Sequence, residues 1–256
     1  VSDPSTGRAR ALVIMPAWNE QEALPGTLAE VFAHAGDVDV LVVDDGSDDD
    51  TASVAAAAGA TVLRMPYNTG VGGAMRAGFK YAQRHGYGAA IQVDADGQHD
   101  PREIAVVLAG LHEADVVIGA RFADKGAYAV RGPRRWAMQL LAGTMSRIGR
   151  TRLTDPTSGF RAANVAAIDL YARHYPAEYL GDTVESLVIA IRSGLRVQQV
   201  PVEMRPRQGG RPSHAPWKAA VYLVRAVFAL GLALVRRWPA VPPHAPVVAA
   251  PEGVRP

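Results

Sequence analysis

Five short runs of apolar and β-branched residues recur along the first half of the chain, with helical-period segments between them. The runs are Ala11 to Met15 (ALVIM), Val38 to Val43 (VDVLVV), Thr61 to Met65 (TVLRM), Ala89 to Val93 (AAIQV) and Val116 to Gly119 (VVIG). Continuous apolar runs of this length predict strands covered on both faces, as in a mostly parallel sheet. Glu22 to His34, Asp50 to Ala58, Val71 to His85 and Pro101 to Leu111 carry helical spacing, with start signals such as Asp100-Pro101. The alternation predicts a doubly wound α/β fold, a mostly parallel central sheet flanked by helices, with ligands at the carboxyl ends of its strands. A chain of 256 residues that is 48% hydrophobic can fill such a core.

Beyond Gly119 the rhythm changes. Asp124 to Pro133 reads as a long loop, followed by a helix from about Arg134 to Ile148 and a turn-rich Thr154 to Gly159. A helix near Thr183 to Ser193 and a strand near Val197 to Met204 close the pattern. No repeat or linker interrupts it, so residues 10–216 read as one domain. Ala219 to Val235 is apolar apart from Arg225 and is flanked by Lys218 and Arg236-Arg237. Its 17 residues fall at the short end for a bilayer span, and the mid-segment Arg is costly there. Residues 217–237 are therefore expected to form a helix lying on a membrane surface or on the domain. Residues 1–9 and the Pro- and Ala-rich 238–256 are expected to be disordered.

The net charge of +2 gives no ground for nucleic-acid binding. From Arg192 onward, however, ten basic residues face two acidic ones, a local balance suited to phosphates or an anionic membrane surface. The absence of cysteine excludes disulfides and thiolate metal sites. The polar first residues carry no secretory pattern, so the expected location is cytoplasmic, at the inner face of the membrane.

Chemistry concentrates where strands end. Gln92-Val93-Asp94-Ala95-Asp96-Gly97-Gln98-His99-Asp100 places two carboxylates two residues apart beyond a buried strand. Such oxygen ligands suit Mg²⁺ or Mn²⁺, whose shell substrate phosphates complete, and Gln98 or His99 adds a ligand or a hydrogen bond. Helix capping is the plainer reading, but Asp100 already fills that role, and Asp94 and Asp96 would repel one another without a cation. At the second strand's end, Asp44-Asp45-Gly46-Ser47 lets Asp45 accept from a base N–H or a ribose hydroxyl; ordinary turn chemistry explains the same residues. The first strand ends in Pro16-Ala17-Trp18-Asn19-Glu20, without the G-x-G-x-x-G of a dinucleotide-binding dehydrogenase. Glu20 either holds a ribose or begins a helix. The glycines Gly70, Gly72, Gly73 and Gly78 serve either phosphate contact at a helix start or close packing on the sheet.

The ordered set Pro-x-x-Asn19-Glu20, Val-Val-Asp44-Asp45-Gly-Ser, Asn68-x-Gly70-x-Gly72-x-Ala74, and Asp94-Ala-Asp96-Gly-Gln98-His99 resembles glycosyltransferase family 2 over about Arg10 to Ser213. Within that family it is most similar to the polyprenyl-phosphate glycosyltransferase branch, which includes dolichol-phosphate-mannose-synthase-like enzymes. The resemblance implies a GT-A fold and a nucleotide-diphosphate sugar of UDP or GDP type as donor. It implies that Pro16, Asn19, Glu20, Asp45 and Asp94 bind the donor, that Asp94, Asp96 and Gln98 hold a divalent cation, and that Arg121 touches phosphate beside a catalytic Asp96. Thr157-Ser158-Gly159-Phe160-Arg161 matches a segment near the acceptor side. Val200-Pro201-Val202-Glu203-Met204-Arg205, with Arg207, Arg211 and Ser213, resembles the branch's phosphate-binding ending.

The acceptor decides the remaining chemistry. A phosphate monoester is already anionic and needs cations, whereas a hydroxyl needs a positioned base. Arg131, Arg134, Arg135, Arg205, Arg207 and Arg211, followed by the apolar segment, predict a lipid phosphate and peripheral membrane contact. Asp182 and Glu185 fall where many family members carry a base; helix capping and first-turn charge account for them equally well. A hydroxyl acceptor, and a catalytically silent nucleotide-sugar-binding protein, are the alternatives.

Overall fold

In the computed structural model the described residues are 10–121, 142–177, 182–205, 231 and 238–241. In chain order they form β1 (Ala11–Ala17), α1 (Leu24–His34), β2 (Val38–Asp44), α2 (Thr51–Ala57), β3 (Thr61–Arg64), α3 (Val71–Arg84) and β4 (Ala89–Gln92). Then come α4 (Ile104–Ala109), with a 3-10 turn at each end, β5 (Val116–Arg121), and α5 over residues 142–149. The series ends with β6 (Arg161–Asn164), α6 (Val165–His174), α7 (Asp182–Arg192) and β7 (Val197–Val202). Seven strands make one sheet in the order β3-β2-β1-β4-β6-β5-β7.

Every strand pair is parallel except those of β6, which runs antiparallel between β4 and β5. The sheet is therefore mostly parallel, as expected, with one reversed strand. β6 and α6 are the elements missing from the sequence expectation. Arg-Ala-Ala-Asn carries no β-branched residue, and its strand state comes from ladders on both sides rather than from propensity. α6 did announce itself: Asn164 Oδ1 accepts from Ala167 N at 3.1 Å, an N-cap in front of a helical-period run.

Burial on both faces explains the near-continuous apolar strands. Leu12 and Ile14 of β1 belong to the core under α3, α6 and α7, while Val13, Met15 and Ala17 belong to the core under α1 and α4. β2 divides the same way, Leu41 and Val43 against Val40 and Val42. α3 lies closest to the sheet because Gly78 presents no Cβ; one built there would collide with the Ile14 side chain. A Cβ on Gly72 would likewise collide with the Pro176 carbonyl. These two glycines therefore serve close packing. Gly70 has φ +79°, a left-handed conformation that suits glycine at the turn into α3.

At the carboxyl end of the chain, Trp238 and Val241 pack against the core, and Val241 N donates to Ser193 O at 2.9 Å. The tail expected to be disordered from Trp238 onward thus has its first four described residues seated on the domain. The helix expected over 217–237 lies outside the described residues apart from Gly231. Among the described residues no helix is long and apolar enough to cross a membrane.

The tight α3–β1 contact sets a stability expectation. Gly78→Ala should destabilise the fold by about 1–3 kcal/mol through overpacking against Ile14, read as a lower urea midpoint with an unchanged slope. A neutral or stabilising result would show that Ile14 yields without cost.

Candidate active site

Parallel register brings the carboxyl ends of β1, β2 and β4 to one edge: Ala17 faces Asp44 and Ile14 faces Gln92. A cavity of about 390 Å³ opens there. Pro16, Trp18, Glu20, Asp45 and Asn68 line one part, Gln92, Asp94 and Asp96 the floor, and Thr157, Gly159 and Thr183 the far wall.

The loops around the first part are laced together by short polar side chains. Asn19, in the left-handed region at φ 55°, donates its backbone N–H to Ser47 Oγ, and its Oδ1 accepts from Asp48 N, both at 3.0 Å. Asn19 does not line the cavity; it holds the β1 and β2 loops to each other. Glu20 N donates to Thr51 Oγ1 at 2.9 Å, and the Glu20 carbonyl accepts from Leu24 N, so Glu20 lies a turn ahead of α1 with its residue on the cavity wall. Asp45 is buried, and its Oδ1 accepts from Thr69 N and Thr69 Oγ1 at 2.8 and 2.6 Å, pinning the segment that leads into α3. Its neighbour Asp44 is structural: it accepts from Ser47 N and faces the Arg64 guanidinium at 3.5 Å.

The floor is held just as closely. Gln92 Nε2 donates to Asp94 Oδ1 at 3.0 Å, Asp94 N donates to His99 Nδ1 at 3.0 Å, and Gln98 N donates to Asp96 Oδ1 at 3.1 Å. Because His99 Nδ1 accepts, its proton sits on Nε2, which lies 3.7 Å from Asp94 Oδ2. The imidazole stacks on buried Phe160, ring centroids 4.8 Å apart and planes at 15°. His99 therefore orients Asp94. Asp100, by contrast, is the helix cap: its Oδ1 accepts from Arg102 N at 3.1 Å. Asp94 and Asp96 do not cap that helix, so capping does not explain them.

These donors fit a hard divalent cation. Among the described residues no group of three or more His, Cys, Asp or Glu is placed to hold a metal ion, so any cation here would depend on few protein ligands, as Mg²⁺-type sites do. Gln98 does not line the cavity, although its backbone anchors the same turn.

Arg205, expected to bind an acceptor phosphate, is placed elsewhere. Its Nε and Nη2 meet Asp100 at 3.1 and 3.0 Å, its Nη1 pairs with Glu30 of α1, and its N–H donates to Gln98 O at 2.9 Å. A planar fork between two carboxylates has found its anions already, so Arg205 braces the 94–100 loop instead. Arg121 ends β5 and Asp182 begins α7, with side chains outside the described set. Glu185 sits in the first turn of α7, half-buried and not among the lining residues. Arg131, Arg134, Arg135, Arg207, Arg211 and Ser213 lie outside the described residues.

Trp18, 48% exposed while lining the cavity, was missed by the sequence reading, although a large aromatic beside Pro16 on a loop is itself a signal. Thr183 was missed as a wall residue because it comes from a helix start far from the others in sequence, whereas Thr157 and Gly159 lie in the segment singled out from the sequence.

Known proteins place this geometry. The family model "Glycosyl transferase family 2" matches residues 12–171. The chain belongs to glycosyltransferase family 2. Undecaprenyl-phosphate mannosyltransferase of Micrococcus luteus is 34% identical, covering 78% of this chain and 86% of the relative. Polyprenol monophosphomannose synthase of Mycolicibacterium smegmatis is 34% identical as well, covering 81% and 83%. The fold is that of glucosyl-3-phosphoglycerate synthase from Mycobacterium tuberculosis, solved with Mn²⁺, UDP and glucosyl-3-phosphoglycerate, at a TM-score of 0.67 and 22% identity over 88% of this chain and 80% of that one. Within family 2 the chain is thus most similar to the polyprenyl-phosphate branch.

Asp100 gives the site loop a pH signature. Hydrogen bonds from the Arg102 side chain, aided by Arg205, hold its carboxyl down to about 2 against burial. A depressed folded-state value stabilises above the ordinary value of 3.8 and is lost as pH falls through about 2. Asp100→Asn should therefore cost on the order of 2 kcal/mol at neutral pH, and the gap to wild type should close between about pH 4 and pH 2. Denaturation curves across that range test it, and a constant gap would show that Asp100 acts by packing alone.

Proposed function

We propose that this family 2 member transfers a hexose from a nucleotide-diphosphate sugar to a polyprenyl-phosphate acceptor by inverting displacement, with Mg²⁺ or Mn²⁺. The observation that carries the reading is the single cavity with an aromatic and two carboxylate residues, Trp18, Glu20 and Asp45, along one part and Asp94 with Asp96 on the floor. The relatives' names support the acceptor, and the Mn²⁺ and UDP bound to the structural neighbour support the donor and cation.

The nucleoside occupies the first part, its base against the Trp18 ring and its N–H groups toward Asp45. Glu20 accepts from the ribose. Asp94 and Asp96 would hold the cation, which would supply positive charge to the departing diphosphate. His99 keeps Asp94 aimed at that position. An oxygen of the acceptor phosphate forms the new bond at the anomeric carbon from the face opposite the diphosphate, whose bridging oxygen leaves with the electron pair. The phosphate monoester is anionic at neutral pH, so no general base is required. Cations instead steer it, and Arg121, Arg131, Arg134, Arg207, Arg211 and Ser213 are the residues proposed for phosphate contact. The basic carboxyl-terminal stretch suits peripheral attachment at the cytoplasmic face of an anionic membrane.

A hydroxyl acceptor is favoured by one observation: Glu185 shares the first turn of α7 with Thr183, a wall residue. Asp182 or Glu185 would then serve as base.

Purified protein is assayed with radiolabelled GDP-mannose, UDP-glucose and UDP-N-acetylglucosamine against short polyprenyl phosphates and saccharides. Sugar should reach the lipid phosphate, and Asp94→Asn with Asp96→Asn should lower kcat at least 100-fold, the scale of removing a charge-stabilising group. Transfer only to saccharides, abolished by Glu185→Gln, would replace this reading with the hydroxyl one. Full activity after chelation would remove the cation.

A further inference from the structure

Arg161, the first residue of β6, is buried, and among the described residues its hydrogen-bond partners include no carboxylate. Its Nε donates to Ser158 O at 2.7 Å, its Nη2 to Pro156 O at 2.5 Å, and its Nη1 to Ser186 Oγ at 3.3 Å and to the Thr183 carbonyl. All four acceptors are neutral, and none of the ion pairs among the described residues involves this guanidinium. Buried arginines ordinarily have an anion beside them, because an unpaired desolvated charge is costly. Arg205 in this same chain follows the ordinary rule, with Asp100 and Glu30.

The bonds join two segments far apart in the sequence. Pro156 and Ser158 flank Thr157, Ser158 precedes Gly159, and Thr183 and Ser186 belong to the first turns of α7. Thr157, Gly159 and Thr183 form the cavity wall across from Trp18, Glu20 and Asp45. Gly159 also approaches the floor: a Cβ on it would stand 3.1 Å from Gln92 Nε2 and 3.4 Å from Asp94 Oδ2. One guanidinium thus fixes the separation between this wall and the carboxylate floor. Among the described residues no carboxylate pairs with that charge, which stands directly behind the wall.

We propose that Arg161 is the positioning residue of the acceptor half of the cavity: it clips the 156–159 loop to α7 and lends that wall the positive potential that an acceptor phosphate completes on binding. This rests on the phosphate-acceptor reading above. The charge is tolerated in the free protein because the forked carbonyls solvate it, and the phosphate serves as its distant counter-ion in the complex.

Three variants separate the clip from the charge. Arg161→Lys keeps the charge but cannot bridge four oxygens, Arg161→Met removes both, and Ser186→Asp keeps the arginine and its three carbonyl acceptors and sets a carboxylate in place of the fourth. Each is measured for melting temperature, calorimetric Kd for UDP and GDP with Mn²⁺, and KM and kcat with a short polyprenyl phosphate. Nucleotide Kd should stay within twofold of wild type in Arg161→Lys and Ser186→Asp, while acceptor KM rises about tenfold in both and its salt dependence weakens in Ser186→Asp. Amide exchange over residues 156–159 and 183–186 should accelerate in Arg161→Lys and stay at the wild-type rate in the β1–β2 loops. Parallel losses of nucleotide and acceptor affinity, tracking melting temperature, would reduce Arg161 to a stability element and overturn the proposal, as would an acceptor KM unchanged in Ser186→Asp. Where Arg161→Met fails to fold, Ser186→Asp, which retains the arginine, still decides. Failure of the wild type to use any polyprenyl phosphate would sink the acceptor reading itself, whereas wild-type transfer with acceptor-insensitive variants sinks only this inference.

Discussion

The pairing of β1 with β2 on one side and β4 on the other is the constraint from which the site follows. Parallel ladders end their strands at one edge, and both faces of this sheet are sealed by helices, so polar groups leaving the strands can meet only beyond that edge. Asp45 follows the end of β2, Asp94 the end of β4, and Pro16 closes β1. Three segments scattered over eighty residues of sequence thereby become the lining of one cavity. α3 tightens the arrangement from beneath, since Gly78 lets the helix settle on Ile14 of β1.

Two arginines show how the same side chain is used in opposite ways. Arg205 lies between Asp100 and Glu30 and ties the carboxylate-bearing loop to α1 and to the chain after β7, where His99 and Met204 form an isolated bridge. Its charge is fully answered, so it contributes rigidity and little field. Arg161 donates to carbonyls and a hydroxyl, and among the described residues no carboxylate answers its charge. A guanidinium can do either because its five donors form a fixed fork, while the surroundings decide whether an anion shares it.

The carboxylate loop illustrates a division of labour among adjacent acids. Asp94 and Asp96 turn to the cavity, Asp100 turns to Arg102 and Arg205, and His99 between them bonds backward to the Asp94 backbone while resting on Phe160. A loop held at both ends and by a stacked ring pre-orients its side chains, which lowers the reorganisation needed when charge develops.

Much of this was legible in the residues. Apolar runs and helical periods announce the strands, helices and α/β class, and the ordered motifs identify family 2, because burial on two faces and strand-end chemistry leave local marks. What they do not mark is β6: four residues with no strand preference, made a strand by neighbours that lie about seventy residues before and forty residues before in the chain. Nor does an arginine announce its partner. Arg205 was grouped with phosphate ligands on the resemblance of the Val200 to Arg205 ending, and the fold brought Asp100 and Glu30 to it; Arg161 belonged to a matching segment, and the fold set carbonyls around it. Sequence by itself determined which residues carry charge and where the strongly periodic strands and helices fall, since those depend on composition and period. The tertiary structure alone decided which charges are neutralised and which face a substrate, because pairing and desolvation are set by distances between segments that the linear order does not encode.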